Sequence, residues 1–165
     1  MRTEKLLAQQ PALDDAEAIV TTNLLGPIRL TAALLPHLQS QPHSAIVNVS
    51  SGLAFLPLAY TPTYCATKAA LHSYTMSLRY QLKATNIDVI ELVPPYVQTQ
   101  LMSGAEDPRA MPLDKFIAEV MSIFKQQPTP SEICVENVKR LRFSAESGHF
   151  DAIFNGLNAA MADVH

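Results

Sequence analysis

Tyr64 and Lys68 stand four residues apart in the run Tyr64-Cys65-Ala66-Thr67-Lys68-Ala69-Ala70-Leu71, whose alanines and leucine favour a helix. On a helix that spacing stacks the phenol and the ammonium on one face, about a turn apart. A phenol ordinarily titrates near ~10. A neighbouring ammonium favours the phenolate and lowers that value, so Tyr64 could give or take a proton closer to neutral pH. The spacing alone also arises by chance, and a Tyr and a Lys on a solvated helix face is the plain alternative. Ser50-Ser51-Gly52 form a second candidate group. Ligands of α/β sheets gather at the C-terminal ends of strands, where a hydroxyl can hold a substrate oxygen; equally, two serines can simply begin a turn. Asn23 is a third candidate, because Pro27 has no N–H to give the carbonyl four residues back and leaves that oxygen for another partner.

The elements that must position these residues follow from periodicity and breakers. Asp14 and Asp15 can cap and charge a helix start. From there Ile19, Val20, Leu24, Ile28, Leu30 and Leu34 fit an amphipathic helix over 15–39, interrupted at Gly26-Pro27. The run Ala45-Ile46-Val47-Asn48-Val49-Ser50 reads as a buried strand. A loop over 51–62 leads to a helix over 63–83, and 87–93 is a second strand stopped by Pro94-Pro95. Strand, helix, strand is a βαβ unit, which implies parallel strands. Further on, 100–111 reads as a loop, 113–126 as a helix, 131–146 as a helix after Pro128-Thr129-Pro130, and 151–161 as a last helix. The helix over 113–126 is either a lid over a pocket or an ordinary core-facing helix.

Taken together, IVNVSS, thirteen residues from Ser51 to Tyr64, YCATKAAL and IDVIELVPPYVQT, preceded by TTNLLGPIRLTAALLPHL, resemble the short-chain dehydrogenase/reductase family over 15–102. The resemblance implies a doubly wound parallel sheet, of which this sequence covers the C-terminal half, with 1–14 loose and 103–165 forming substrate-side and C-terminal helices. It implies Tyr64 as the general acid/base and Lys68 as the cation that tunes it and binds the nicotinamide ribose. It also implies Ser51, with Ser50 the neighbouring alternative, as the hydroxyl on the substrate oxygen. Asn23 would hold a relay water through its main chain at the helix kink. Pro94, Val97 and Thr99 match the segment that meets the nicotinamide carboxamide. NAD or NADP is the implied cofactor, a small carbonyl compound or secondary alcohol the implied substrate, and a homodimer through the helices 15–39 and 63–83 the implied assembly.

The sequence departs from the family in two places. Pro94-Pro95 stands where Pro-Gly is usual, a form found in the branch of DltE-type oxidoreductases; Pro95 can donate no hydrogen bond. The glycine-rich loop that lets a backbone approach a pyrophosphate at a helix N-terminus has no counterpart, since the five glycines, at 26, 52, 104, 148 and 156, are scattered. Hydride transfer by this chain alone is therefore expected to be negligible, because proximity is most of what an enzyme offers two substrates. A shortened gene product is the expected origin, with supply of the other half by another chain, or a rearranged N-terminus and tail, as alternatives. The strand at 45–50 is expected to present an open apolar edge. A non-catalytic interaction module derived from such an enzyme is the second functional expectation.

Composition narrows the remaining classes. Apolar residues make up 48% and charged residues 16% of the chain, which reads as globular rather than disordered. A formal net charge of -3 without a Lys/Arg run argues against nucleic acid. Cys65 and Cys134 stand alone, and with no signal-peptide pattern a reducing, cytoplasmic setting is expected. No apolar stretch of membrane-span length is expected. His37, His43, His72, His149 and His165 lack metal-ligand spacing. Tyr96 and Gln98 could touch substrate; Met76, Met102, Met111 and Met121 could line a pocket or fill a core; Glu136, Lys139, Arg140, Arg142 and Glu146 read as a solvated face.

Overall fold

A computed structural model describes residues 13–100 and 107–162. In chain order it shows helix α1 (Leu13–Val20), a π-helical turn (Thr21–Leu25), α2 (Gly26–Ser40), strand β1 (Ser44–Val49) and a 3-10 turn (Gly52–Ala54). Then come α3 (Pro62–Leu82), β2 (Ile87–Val93), α4 (Leu113–Phe124), β3 (Glu132–Cys134), α5 (Glu136–Arg142) and α6 (Phe150–Ala162). The three strands form one parallel sheet in the order β1-β2-β3. Each crossover carries a helix, α3 between β1 and β2 and α4 between β2 and β3, as parallel pairing requires.

The two helices cover opposite faces. Ile46, Ile87 and Val89 pack with Leu78 and Leu82 of α3, joined by Leu35 and Leu38 of α2. On the other face Ile90, Val93, Ile133 and Val135 pack with Val120 of α4 and Val138 of α5. The central strand β2 is accordingly buried at most positions. Fully burying one such aliphatic side chain is worth about 1.5–3 kcal/mol. Polar contacts then fix how α3 sits. The Asn48 amide donates to Thr75 Oγ1 at 2.9 Å, and Arg79 donates to Val89 O and Ser131 O, each at 2.8 Å.

Three expectations are corrected. Residues 131–146 are not one helix: Glu132–Cys134 pairs with β2, and the helix is only Glu136–Arg142. Three residues are too short to show a period of two, so the sheet, not the local pattern, decides them. The interruption expected at Gly26-Pro27 takes the form of a π turn over Thr21–Leu25. The chain absorbs the missing donor in a π turn, where Gly26 N–H reaches Thr21 O, and Pro27 then sits in the first turn of α2, where no donor is needed. The helical run Leu13–Ser40 is therefore continuous, 28 residues, and long and apolar enough by length and composition to cross a membrane, a run that was not expected. Finally, Arg142 is not on a solvated face: it pairs with Glu132 and Glu146 and lies over the Phe55 ring at 4.3 Å.

Of the four methionines singled out above, Met111 is buried in the core, Met76 and Met121 are exposed, and Met102 lies outside the described residues. Phe116, Val120, Ile123 and Phe124 of α4 join the core, which makes it a core-facing helix.

Gly52 matters for packing. A Cβ there would meet the Val138 side chain at 2.8 Å and Leu141 at 3.4 Å. Gly52→Ala should lower stability by about 1–3 kcal/mol through overpacking, read as a lower denaturant midpoint by circular dichroism. An unchanged midpoint would show that α5 does not close on this loop.

Candidate active site

The site is built where β1 ends and α3 begins. Ser50 stays with the sheet: its N–H donates to Leu92 O at 2.9 Å and its hydroxyl faces the same carbonyl. Ser51 is the first residue past the strand. It caps the 3-10 turn, accepting Leu53 N–H at 3.1 Å. The next residue, Gly52, donates to Pro94 O at 3.0 Å, which ties the ends of β1 and β2 together. The loop then returns through Pro57 and Leu58 to Thr61, which precedes Pro62 at the start of α3. Proline suits a first helical turn because that turn's N–H groups have no partner in the helix. Leu58 N–H on Cys65 Sγ at 3.3 Å pins the loop onto the helix.

This return places the Tyr64 phenol against Ser51, and the two side chains share a hydrogen bond. Lys68 lies one turn further, its Nζ 5.6 Å from the Tyr64 ring centroid. The ammonium donates to Val49 O at 2.9 Å. Asn23, in the π turn, donates through its side chain to Thr67 Oγ1 at 3.3 Å, and Thr67 in turn donates to Tyr64 O at 2.8 Å. Ser51, Tyr64, Lys68 and Asn23 thus meet around the first turns of α3. Ser51, not Ser50, is the hydroxyl on the phenol.

Pro94 joins this group through its carbonyl on Gly52. Val97 and Thr99 lie beyond it in a strap that folds back on Met111: Val97 and Met111 form an isolated parallel bridge. Gln98 N–H reaches Met111 O at 2.9 Å, and Met111 N–H reaches Tyr96 O at 2.8 Å. The Tyr96 hydroxyl donates to Asp107, whose carboxyl Arg109 holds down at about 2.

The electrostatics differ from expectation. Burial pushes the Tyr64 phenol above its ordinary value; the Ser51 bond pulls it down less, and Cys65 adds to the rise. Burial also lowers Lys68. The depression expected from an adjacent ammonium is absent; the Lys68 ammonium donates instead to Val49 O.

Three contributors were not singled out from sequence. Thr67, three residues after Tyr64, could have been found from its place on the same face. Asn158 of α6 accepts Ala59 N–H at 2.7 Å and donates to Pro57 O at 3.3 Å; a partner this remote in the chain leaves no sequence signal. Glu91, buried on β2, holds His72 Nδ1 at 2.8 Å. His72, expected to be structural, continues the Tyr64–Lys68 row into the interior.

The nicotinamide end of a dinucleotide fits this geometry: a hydroxyl pair, an ammonium one turn on, and backbone from the end of β2 converge. The described glycines do not fit its pyrophosphate. Gly52 is filled by Val138, Gly148 serves a left-handed turn at φ 72°, and the places of Gly26 and Gly156 would admit a Cβ.

A parallel sheet covered on both faces, with a Ser–Tyr–Lys group at one strand end, defines a partial Rossmann-like α/β protein. Residues 3–110 match the short chain dehydrogenase family, and the chain belongs to it. It is 40% identical to the uncharacterized oxidoreductase DltE of Bacillus subtilis (strain 168) over 144 residues, 84% of this chain and 56% of that protein. To the NADP-dependent 3-hydroxy acid dehydrogenase of Schizosaccharomyces pombe it is 36% identical over 88 residues, 53% of this chain and 34% of that one. A solved short chain dehydrogenase from Burkholderia cenocepacia J2315 in complex with NADP superposes on 94% of this chain and 66% of its own, with a TM-score of 0.78 at 22% identity, which shows the fold. The chain spans about half the length of the curated relatives it matches.

A group whose acid form is favoured by folding contributes stability that is complete below its unfolded value and lost as pH rises through the folded one. For Tyr64, raised in the fold, that window lies on the alkaline side of ordinary tyrosine. Tyr64→Phe should therefore remove a late-ionising phenol from the alkaline absorbance titration and flatten the loss of stability in that range. Loss of a phenol that ionises below the ordinary range would contradict the site as described.

Proposed function

We propose that this chain carries the catalytic side of an NAD- or NADP-dependent oxidoreductase that interconverts a small carbonyl compound and a secondary alcohol. The observation that carries this reading is the Ser51–Tyr64 hydrogen bond at the end of β1. A carbonyl oxygen placed between the two hydroxyls accepts one bond from Ser51 and one from Tyr64. In reduction the Tyr64 proton moves to that oxygen; in oxidation the phenolate takes it back. The nicotinamide supplies the hydride when bound. Lys68 holds its ribose, and released from Val49 O it stabilises the phenolate. Pro94, Val97 and Thr99 border the carboxamide, and Asn23 orders the water end of the relay beside Thr67. No described glycine cradles a pyrophosphate, so the isolated chain should show no saturable NADPH binding in a fluorescence titration; a clear micromolar curve would overturn that part.

The acid/base assignment is tested in a chimera. The matching segment of this chain replaces that of the Schizosaccharomyces pombe dehydrogenase, and 3-hydroxy acid oxidation is followed by nicotinamide absorbance. Removing a positioned acid/base should lower the rate by about 100-fold or more in the Tyr64→Phe chimera. A folded Tyr64→Phe chimera as active as its parent would end the proposal.

A second reading, a dimerising module, is favoured by the surfaces of the long helices. Met76 and Tyr80 of α3 are 54% and 69% exposed, and Leu30 of α2 is 61% exposed; apolar side chains left bare in this way mark a contact surface where they join into one patch. Light scattering should then report a dimer that Tyr80→Glu dissociates. A monomer at all concentrations would refute it.

A further inference from the structure

Phe55 closes the 3-10 turn that Ser51 caps. Its N–H donates to Gly52 O at 3.1 Å, and Ala54 N–H donates to Ser51 O at 3.0 Å, so the backbone from Ser51 to Phe55 is one closed unit. The Phe55 ring meets two side chains from distant parts of the chain. The His72 ring of α3 stands edge to face with it, centroids 4.6 Å apart, and the Arg142 guanidinium of α5 lies over it at 4.3 Å. Each of these is held in turn by a carboxyl. Glu91 of β2 and Glu132 of β3 are register partners, so their side chains project from the same face of the sheet. Glu91 is fully buried and binds His72 Nδ1 at 2.8 Å; its other oxygen has no hydrogen-bond partner among the described residues. Glu132 accepts Arg142 Nε and, at 3.0 Å, Nη2.

We propose that Phe55 is a positioning residue: held by His72 and Arg142, it sets the Ser51 hydroxyl against Tyr64. Core packing alone would ask only for an apolar side chain at this place. A ring face adds an attraction to a guanidinium and to an edge-on aromatic ring that an aliphatic side chain lacks. Gly52 N–H ties the start of the turn to Pro94 O, and the Phe55 clamp ties its end to two strands and two helices. Leu53 N–H donates to Ser51 Oγ, so a turn fixed at both ends also fixes the hydroxyl. The bond to Glu132 raises Arg142 above its ordinary value, and the guanidinium keeps its charge throughout the range in which a phenol ionises. The positioning stands on geometry; its meaning for catalysis rests on Tyr64 as the acid/base.

The test is the ionisation of Tyr64 in the full chain, followed by NMR of isotope-labelled tyrosine side chains and assigned with Tyr64→Phe. Phe55→Leu keeps an apolar side chain and should move that ionisation by about 0.3–1 pH unit to the alkaline side, the scale of one hydrogen bond. Glu132→Met/Arg142→Met exchanges the ion pair for apolar groups, a change that folds tolerate, and should move it the same way. In a Ser51→Ala background neither change should add a shift, because changes that act through one group are not additive. Ile90→Val, a truncation in the core on the opposite face of β2, should leave Tyr64 unmoved. An unmoved Tyr64 in either folded variant overturns the clamp. So does a Phe55→Leu shift that adds in full to that of Ser51→Ala, or an equal shift from Ile90→Val, which would mark general loosening. No turnover is measured, so failure of the clamp while Ser51→Ala still moves Tyr64 is distinct from failure of the acid/base reading, which the Tyr64→Phe chimera decides.

Discussion

A hydroxyl at a strand tip bonded to a phenol in the first turn of the next helix is the contact on which the site depends. Ser51 and Tyr64 are separated by a loop that must leave the sheet and return onto the same helix. Loop closure of this length is entropically modest, but nothing in it fixes an orientation. Orientation comes from three ties: Gly52 N–H on Pro94 O, Leu58 N–H on Cys65 Sγ, and Asn158 on Pro57 and Ala59. Each joins the loop to a different element, β2, α3 and α6. The Ser51–Tyr64 contact is therefore a property of the whole packed unit, and Gly52 can serve it only because it has no side chain to keep α5 away.

Behind that contact α3 is held in register by buried polar groups. Asn48 reaches Thr75, Glu91 holds His72, and Arg79 binds the carbonyls of Val89 and Ser131. Burying such groups unpaired would be costly, so a slip of α3 along the sheet is penalised at several points together. The Lys68 ammonium meanwhile donates to Val49 O at the end of β1. Burial lifts Tyr64 and lowers Lys68, a state in which both groups are neutralised more easily than in water and neither activates the other.

Much of this was legible in the sequence, for definable reasons. The βαβ unit showed itself because Ile46, Val47 and Val49 against the alanine-rich run after Tyr64 give clear and different periods. The Ser51, Tyr64 and Lys68 group followed from spacing within and just ahead of one helix. β3 was missed because a three-residue strand has no period of its own and exists only through pairing with β2. The helix over 15–39 was read with its interruption at Gly26-Pro27, but its span of 28 apolar-rich residues was missed, because a Gly-Pro pair does not show that a π turn will carry the helix through. Asn158 could not be read, since its partners lie about a hundred residues away. The direction of the Tyr64 shift was mistaken because sequence spacing shows that a lysine is near, not where its ammonium points.

The central claim is the bond between the two hydroxyls, and the most direct measurement is the titration of Tyr64 in a Ser51→Ala chain, with Ser51→Ala/Tyr64→Phe as the baseline. Among the described residues, Ser51 supplies the one side-chain hydrogen bond that lowers the Tyr64 value. Its removal should move the Tyr64 ionisation further to the alkaline side. A Tyr64 titration unchanged by Ser51→Ala, in a chain that still folds, would mean that the strand tip and the helix do not meet as described.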